Sequence, residues 1–203
     1  AGTLDKYVGD AIVTMFGMPL PVKDHALRAC LSALEMQNRH AALRAKWAQS
    51  GQWPTSVLNM RTRIGLNTGY AIIGNMGSEV RFNYTMMGDS VNLAARCESV
   101  SKSYGVYTTV TETTLHAALA YGAKLNYRKL DCVVVKGRHE PVELYELWDS
   151  SIDEEATTTC KVAYEAALAH YFKGDWRVAL AAFETSEMLE PSITFAPTTP
   201  SAV

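Results

Sequence analysis

The sequence predicts an α+β fold, in which short antiparallel strands are interspersed with amphipathic helices. Gly9 and Asp10 join two short segments of β-branched and aromatic residues near the start of the chain, which is the pattern of a β-hairpin. The helical signal is an apolar face with the spacing i, i+4, i+7 and i+11, made by Leu93, Cys97, Val100 and Tyr104. Hairpins and helices in mixed order indicate the α+β class.

A long helix is expected after the first hairpin. Pro19 and Pro21 break the chain, and Asp24 is the expected N-cap of a helix that runs to about Trp47. The buried side of this helix is expected to hold Leu27, Cys30, Leu31 and Leu34. A loop is predicted to follow over residues 48–59, because glycine and proline interrupt the helical pattern there.

Strands and two shorter helices are expected in the rest of this domain. The predicted strands cover residues 60–67, 70–75, 82–87, 106–110, 125–135 and 142–148. One helix is predicted from Asn92 to about Tyr104, and another over residues 111–120. Glycines alternate with strand residues between Arg63 and Gly77, which predicts that backbones approach one another or a ligand closely in this segment.

Residues 154–190 are predicted to form a separate helical hairpin, with a break at residues 173–175. The run Tyr-Phe-x-Gly-Asp-Trp-x-x-Ala-Leu-x-Ala-Phe-Glu resembles a tetratricopeptide repeat, which implies a possible protein partner. A single repeat buries little surface, so a hairpin packed on the main domain, or one that stabilises a dimer, is the alternative. Residues 191–203, rich in Pro, Thr and Ser, are expected to form a disordered tail.

The composition predicts a globular domain. The 203 residues are 48% hydrophobic and 20% charged, which is enough for one sizeable core and an extension. A net charge of −2 gives no reason to expect a nucleic-acid partner. Four cysteines without Cys-x-x-Cys spacing indicate free thiols in a reducing, cytoplasmic compartment. No run of eighteen apolar residues is present, so no membrane contact is expected within this chain.

The most informative polar pair is Asn92 and Arg96. They lie four residues apart at the start of a predicted helix and therefore share one face, which the apolar stripe turns away from the core. An amide and a guanidinium placed together can hold a sugar oxygen and a phosphate. The alternative interpretation is an ordinary surface arginine paired with a neighbouring carboxylate.

Three ordered segments, residues 5–17, 63–77 and 85–96, together resemble the catalytic domain of the class III nucleotidyl cyclases. The resemblance runs from about Gly2 to Trp148, within a domain that we assign to residues 1–150. It implies a ferredoxin-like α+β fold and the conversion of a nucleoside triphosphate into its 3′,5′-cyclic monophosphate and pyrophosphate. It also implies a head-to-tail homodimer, with each active site at the interface.

The resemblance implies a role for five residues near the phosphates and metals. Asp10 matches a metal-binding aspartate that holds Mg²⁺ or Mn²⁺, with two ions in each site. Asn92 matches the residue that orients the ribose, and Arg96 matches the residue that stabilises the pentacovalent phosphorus. Lys136 matches a lysine that binds the triphosphate, and Arg81 is a candidate for the same task.

Lys6 and Thr85 match the two positions that contact the purine. Adenylyl cyclases of this family carry Lys with Asp or Thr there, whereas guanylyl cyclases carry Glu and Cys. A lysine ammonium can donate to N1 of adenine but mismatches the N1–H of guanine. We therefore expect ATP as substrate and cyclic AMP as product, in intracellular signalling. A guanylate cyclase and a catalytically silent, cyclase-like dimerisation module remain the alternatives.

One feature of the family pattern is absent from the sequence. The family's first metal-binding aspartate lies in a Phe-x-Asp-Ile strand before the hairpin that holds Asp10, and no such pattern occurs here. We therefore expect a catalytic domain that is incomplete at its N-terminus, lacks the first strand and the helices after it, and is inactive as it stands. A membrane anchor in a longer parent protein remains open.

Overall fold

The computed structural model describes residues 2–134, 140–149 and 152–190. Within these ranges the strands are β1 (Thr3–Val8), β2 (Ala11–Met15), β3 (Ile64–Leu66), β4 (Ile72–Gly77), β5 (Phe82–Met87), β6 (Thr108–Thr111), β7 (Asn126–Val133) and β8 (Val142–Trp148). The helices are α1 (His25–Ser50), α2 (Thr55–Leu58), α3 (Asp89–Ser101), α4 (Glu112–Leu119), α5 (Glu154–Lys173) and α6 (Trp176–Met188). No helix in the described ranges is long and apolar enough to cross a membrane.

A four-stranded mixed sheet lies at the centre of the domain, with the strand order β3, β6, β8, β7. Strand β3 runs parallel to β6, and β8 runs antiparallel to both β6 and β7. The expected α+β class is therefore confirmed, since helices surround a sheet that contains antiparallel pairs.

Helices cover both faces of this sheet. One core joins α1 and α4 to the sheet and contains Ala26, Cys30, Leu34, Val110, Leu115 and Leu147. The other core joins α3 to the sheet and contains Leu93, Cys97, Leu130 and Leu144. Side chains alternate between faces along a strand, so Leu144 and Leu147 of β8 serve opposite cores. The apolar stripe predicted for α3 therefore faces the sheet as expected.

Two hairpins lie beside the central sheet. Strands β1 and β2 pair with each other, as do β4 and β5, and among the described residues each pair forms its own two-stranded sheet. The turn expected at Gly9 and Asp10 is confirmed. Gly9 adopts a φ of 63°, in the left-handed region that glycine enters without steric cost.

Several details of the sequence prediction are wrong. The loop predicted over residues 48–59 contains the end of α1, which stops only where Gly51 turns left-handed, and the four-residue helix α2. Helix α3 begins at Asp89 rather than Asn92, because the Asp89 carboxylate favours the N-terminal end of a helix. The strand predicted over residues 60–67 is confined to β3, since only those three residues pair with β6. Leu31 is 50% exposed, because it lies about 140° around α1 from the buried Ala26.

The C-terminal helical hairpin forms as predicted. The side chain of Asp153 caps α5 by accepting a hydrogen bond of 3.1 Å from the backbone N–H of Ala156. Gly174 ends the same helix in the left-handed conformation, with a φ of 83°. Helices α5 and α6 then pack together, and the rings of Tyr164 and Phe183 meet edge to face with centroids 5.2 Å apart.

A buried arginine joins this hairpin to the sheet. The side chain of Arg128, on β7, is 4% exposed and donates from Nε to Glu146 on β8 at 2.9 Å. Its two terminal nitrogens donate to the carboxylate of Glu190, just after α6, at 3.1 and 2.6 Å. The guanidinium also lies 5.0 Å from the ring centroid of Trp148 and 4.7 Å from that of Tyr164. Two carboxylates and two aromatic rings therefore surround this cation.

Burial raises the pKa of Glu146 to about 7, although the neighbouring Arg128 charge acts in the opposite direction. A carboxyl whose folded-state pKa lies above its ordinary value of 4.5 stabilises the fold most below that value. This contribution is lost as the pH rises through about 7. The buried pair is therefore a pH-dependent part of the fold.

We expect Arg128→Ala to lower the free energy of unfolding by about 3 to 5 kcal/mol, because it leaves Glu146 buried without its cation. The loss should be larger at pH 8 than at pH 5, since Glu146 can take up a proton at the lower pH. Urea unfolding at the two pH values measures both effects.

Arg177→Ala is the control, because Arg177 is exposed on α6 and its removal should cost little. In the double variant Arg128→Met with Glu146→Gln, neither buried charge remains, and the loss should be smaller than in Arg128→Ala. An Arg128→Ala protein as stable as the Arg177→Ala control would contradict this description of the pair.

Candidate active site

The two residues expected to contact the purine lie close together in the fold. Thr85, on β5, donates a hydrogen bond of 3.0 Å from Oγ1 to Oδ2 of Asp5 on β1. The Nζ atom of Lys6 lies 3.5 Å from the same carboxylate oxygen. One atom of Asp5 therefore joins Lys6 and Thr85, which are carried by different hairpins.

A β-bulge explains how neighbouring residues of β1 reach the same point. Leu4 pairs with Thr14 and Lys6 pairs with Val13, so Asp5 is an extra residue opposite β2. In a regular strand the side chains of Asp5 and Lys6 would point to opposite faces. A bulge changes the direction of a side chain and is common beside functional sites.

Asp5, which contacts both Lys6 and Thr85, was not identified from the sequence. Its side chain is only 1% exposed, whereas the side chain of Lys6 is 46% exposed. The strict alternation expected for β1 gave no reason to place Asp5 beside Lys6. The available signal was an acidic residue next to the purine-contacting lysine, inside an otherwise apolar hairpin strand.

Asp10 lies at the exposed tip of the β1–β2 hairpin, as the sequence predicts. Its carboxylate is accessible and suits a hard divalent cation, which takes oxygen ligands. In residues 2–134, 140–149 and 152–190, no group of three or more His, Cys, Asp or Glu side chains lies close enough to hold a metal. Asp10 therefore fits a metal as a single ligand that needs further oxygens from elsewhere, including substrate phosphates.

Asn92 and Arg96 share one face of α3, beside the buried Leu93 and Cys97, and Asn92 is exposed while Arg96 is half-buried. The Nη1 atom of Arg96 is 3.8 Å from Oδ1 of Asp89, too long for a hydrogen bond. This buried Nη1 atom has no hydrogen-bond acceptor among the described residues. The carboxylate pairing of the alternative interpretation is therefore present, but it leaves a donor of Arg96 available.

Glycines of β3 and the following loop allow α3 to lie very close to the sheet. A Cβ atom on Gly65 would be 2.3 Å from both the carbonyl oxygen of Ala94 and the backbone nitrogen of Glu98. A Cβ atom on Gly69 would be 2.3 Å from Oγ of Ser90. The close approach expected from the glycine pattern is thus confirmed, with helix α3 as the neighbour.

A hydrogen-bond chain also holds the first turn of α3. The side-chain amide of Asn67 donates to the carbonyl oxygen of Ser90 at 2.9 Å. Its amide oxygen accepts from the hydroxyl of Thr111 at 2.8 Å. The N-terminal turn that precedes Asn92 is therefore fixed to the loop after β3 and to the end of β6.

Arg81 and Lys136 are the two candidate phosphate-binding residues. Arg81 is exposed in the turn between β4 and β5, where its backbone N–H donates to Oγ of Ser78 at 3.2 Å. It lies four residues from Thr85, about 13 Å along the strand. Lys136 lies outside the described residues. Arg81 therefore belongs to the outer end of the β4–β5 hairpin.

Residues 6–148 match the family model of the adenylate and guanylate cyclase catalytic domain. The chain belongs to this family. The match begins within β1, includes the tip of the Asp10 hairpin, the β4–β5 hairpin and helix α3, and ends at the last strand of the central sheet. This part of the chain is therefore a nucleotidyl cyclase domain, and helices α5 and α6 lie beyond it.

Similar proteins include cyclases of both base specificities. Adenylate cyclase 1 of Rhizobium meliloti is 33% identical over 148 residues, which are 72% of this chain and 21% of that protein. The crystal structure of the adenylyl cyclase CyaB from P. aeruginosa superposes with a TM-score of 0.62 at 31% identity, covering 73% of this chain and 72% of that one.

The crystal structure of the guanylyl cyclase Cya2 superposes with a TM-score of 0.57 at 34% identity, covering 72% of this chain and 69% of that one. Family membership therefore leaves the base undecided between adenine and guanine. The chain spans about a fifth of the length of the Rhizobium meliloti relative.

We expect Gly65→Ala to displace α3, because the new Cβ atom would overlap backbone atoms of the helix. Such overpacking should lower the free energy of unfolding by about 1 to 3 kcal/mol. It should also weaken nucleotide binding, since Asn92 and Arg96 move with the helix. Urea unfolding and displacement of a fluorescent nucleotide measure the two effects.

Gly74→Ala is the matched control, because a Cβ atom there meets nothing within 4 Å. Equal stability and equal nucleotide affinity of the two alanine variants would show that the contact between β3 and α3 does not position the helix.

Proposed function

We propose that this domain is an adenylate cyclase that converts ATP into 3′,5′-cyclic AMP and pyrophosphate. The observation that carries the proposal is the meeting of Lys6 and Thr85 at one oxygen of Asp5. A lysine ammonium only donates hydrogen bonds, so it complements N1 of adenine and opposes the N1–H of guanine. A hydroxyl held beside that ammonium supplies a second contact for the edge of the same base.

The face of α3 that carries Asn92 and Arg96 serves the sugar and the reacting phosphate. The amide of Asn92 orients the ribose, so that its 3′-oxygen faces the α-phosphorus. The guanidinium of Arg96 donates to the oxygens that gain charge as the new phosphorus–oxygen bond forms and pyrophosphate leaves. Removing one positioned donor of this kind typically costs about 3 kcal/mol of transition-state stabilisation.

Asp10 is proposed to hold Mg²⁺ or Mn²⁺ at the hairpin tip. Magnesium is usually bound through one or two carboxylates together with substrate phosphates, so one exposed carboxylate fits as a ligand. Two bound ions would lower the pKa of the ribose 3′-hydroxyl and offset the charge of the leaving group. Lys136 and Arg81 are proposed to bind the triphosphate.

Each complete site is proposed to form between two copies of this chain, arranged head to tail. Lys6 lies within β1 and Asp10 lies at the turn that ends it. The purine and the metal-bound phosphates are opposite ends of a nucleotide, so one chain would not offer both residues to the same ATP. A two-fold dimer lets one copy provide Asp10 while its partner provides the base contacts and α3.

GTP is the second candidate substrate. The similarity to the guanylyl cyclase Cya2 favours it, whereas the positive charge of Lys6 opposes it.

The helical hairpin of α5 and α6 is proposed as a contact for a protein partner, because large apolar side chains such as Trp176 and Leu180 remain 63% and 62% exposed.

We expect the double variant Lys6→Glu with Thr85→Cys to turn over ATP more slowly and to cyclise some GTP. A carboxylate can accept from the N1–H and the amino group of guanine, which a lysine cannot do. Rates of cyclic AMP and cyclic GMP formation by the whole protein, in matched ATP and GTP series, measure the change.

Lys124→Glu is the charge-matched control, because Lys124 is exposed and belongs to none of the proposed site elements. It should leave both rates at the parental level. If the double variant keeps the parental ratio of ATP to GTP turnover, base recognition lies elsewhere in the domain.

We expect Asp10→Asn and Asn92→Ala to be inactive when separate and to regain activity when mixed. Each mixed dimer has one site with both residues intact. Random pairing makes half of the dimers mixed, each with one good site of two, so recovery should approach about a quarter of the parental rate. Cyclic AMP formation after mixing, with differential tags to count mixed dimers, tests this.

The control mixes either variant with itself under the same conditions, which should restore nothing. Mixed dimers that are present but no more active than the separate variants would mean that each site is built within a single chain.

A further inference from the structure

We propose that Asp5 is a positioning residue for base selection, because its carboxylate accepts the hydrogen bond that the Thr85 hydroxyl donates. The hydroxyl oxygen of Thr85 can then only accept a hydrogen bond from a bound purine. The inference rests on the proposed adenylate cyclase function and assigns a new residue to its base site.

The direction of one hydrogen bond carries the argument. A threonine hydroxyl has one proton and two acceptor lone pairs, whereas a carboxylate only accepts. The contact of 3.0 Å from Oγ1 of Thr85 to Oδ2 of Asp5 must therefore use the threonine proton. Lys6 adds a positive charge 3.5 Å from the same oxygen, which strengthens the acceptor. The oxygen of Thr85 keeps only lone pairs for a ligand.

The resulting pair of groups is complementary to adenine. Lys6 presents a donor and Thr85 presents an acceptor, while the edge of adenine presents an acceptor at N1 and a donor at its 6-amino group. Guanine carries an N1–H donor and an O6 acceptor, so it mismatches both groups. A threonine hydroxyl that was free to rotate could donate to O6 and would remove half of this discrimination.

The burial of the Asp5 side chain helps to fix the orientation of the Thr85 hydroxyl. The side chain of Asp5 is 1% exposed, so water has little access to replace this acceptor, while Thr85 keeps 7% of its surface exposed. The second carboxylate oxygen, Oδ1, is buried and has no hydrogen-bond partner among the described residues. An apolar residue would fill this position at lower cost. A buried acid in a strand bulge is therefore better explained by its effect on Thr85 than by packing.

Asp5→Asn tests this assignment, because the amide has nearly the same shape but can donate to Oγ1 of Thr85. The freed threonine proton can then face O6 of guanine. We expect the ratio of kcat/KM for ATP to that for GTP to fall by about tenfold, the discrimination of a single good base contact. Competition of ATP and GTP for a fluorescent nucleotide should show the same direction without any turnover.

The double variant Asp5→Asn with Thr85→Val should have the same base preference as Thr85→Val alone, because no hydroxyl remains to be oriented. Asp131→Asn is the matched control, since Asp131 accepts a hydrogen bond from Tyr104 at 2.6 Å away from the base-contact residues. It should leave the ratio unchanged. If Asp5→Asn does not fold, Asp5→Ser replaces it, because a serine hydroxyl can also donate to Thr85.

An unchanged ratio of ATP to GTP in a folded Asp5 variant would overturn this inference and leave the adenylate cyclase function in place. Equal loss of both activities would do the same, because it would indicate a merely structural role. A whole protein that neither binds nor cyclises ATP would instead overturn the proposed function, and this inference with it.

Discussion

The contact between helix α3 and strand β3 at Gly65 is the constraint on which the site depends. No side chain fits between the strand and the helix, since a single Cβ atom would lie 2.3 Å from two backbone atoms. The first turn of α3 is held further by Asn67. Because β5 leads directly into α3, the same contact also sets where Thr85 lies. The hairpin of β1 and β2 is then tied to β5 by Asp5.

The buried charges of Arg128 and Asp5 are compensated to different extents. Arg128 has two carboxylate partners and two aromatic rings around it, so its burial is well compensated. Asp5 has a threonine hydroxyl and a half-exposed lysine, and one of its oxygens has no partner among the described residues. The first arrangement stabilises the fold by joining α5 and α6 to the sheet. The second is less complete, and a buried polar atom without a partner is rare in folded proteins and calls for an explanation.

The C-terminal hairpin and the catalytic domain share more than a covalent connection. Tyr164 of α5 donates to the carbonyl oxygen of Leu130 on β7 at 3.1 Å, next to the Arg128 contacts. Helix α5 is therefore held against β7 by side-chain contacts as well as by the chain.

The sequence by itself determined the features that depend on local pattern. The turn at Asp10 follows from a glycine between strand segments, and the exposure of Asn92 follows from the apolar stripe of α3. The class of fold followed from the same local periodicities, and the family from three short motifs. Local pattern was insufficient for Leu31, whose exposure depends on how narrow a face of α1 meets the sheet and α4.

Only the tertiary structure decided the contacts between distant residues. Asp5 and Thr85 are 80 positions apart, and Arg128 and Glu190 are 62 apart, so neither pair leaves a periodic trace in the sequence. A strand pattern also assumes alternation, which the bulge at Asp5 breaks. The motifs could therefore indicate a purine site at Lys6 and Thr85, while the group that orients the hydroxyl of Thr85 became visible only when the two hairpins were brought together.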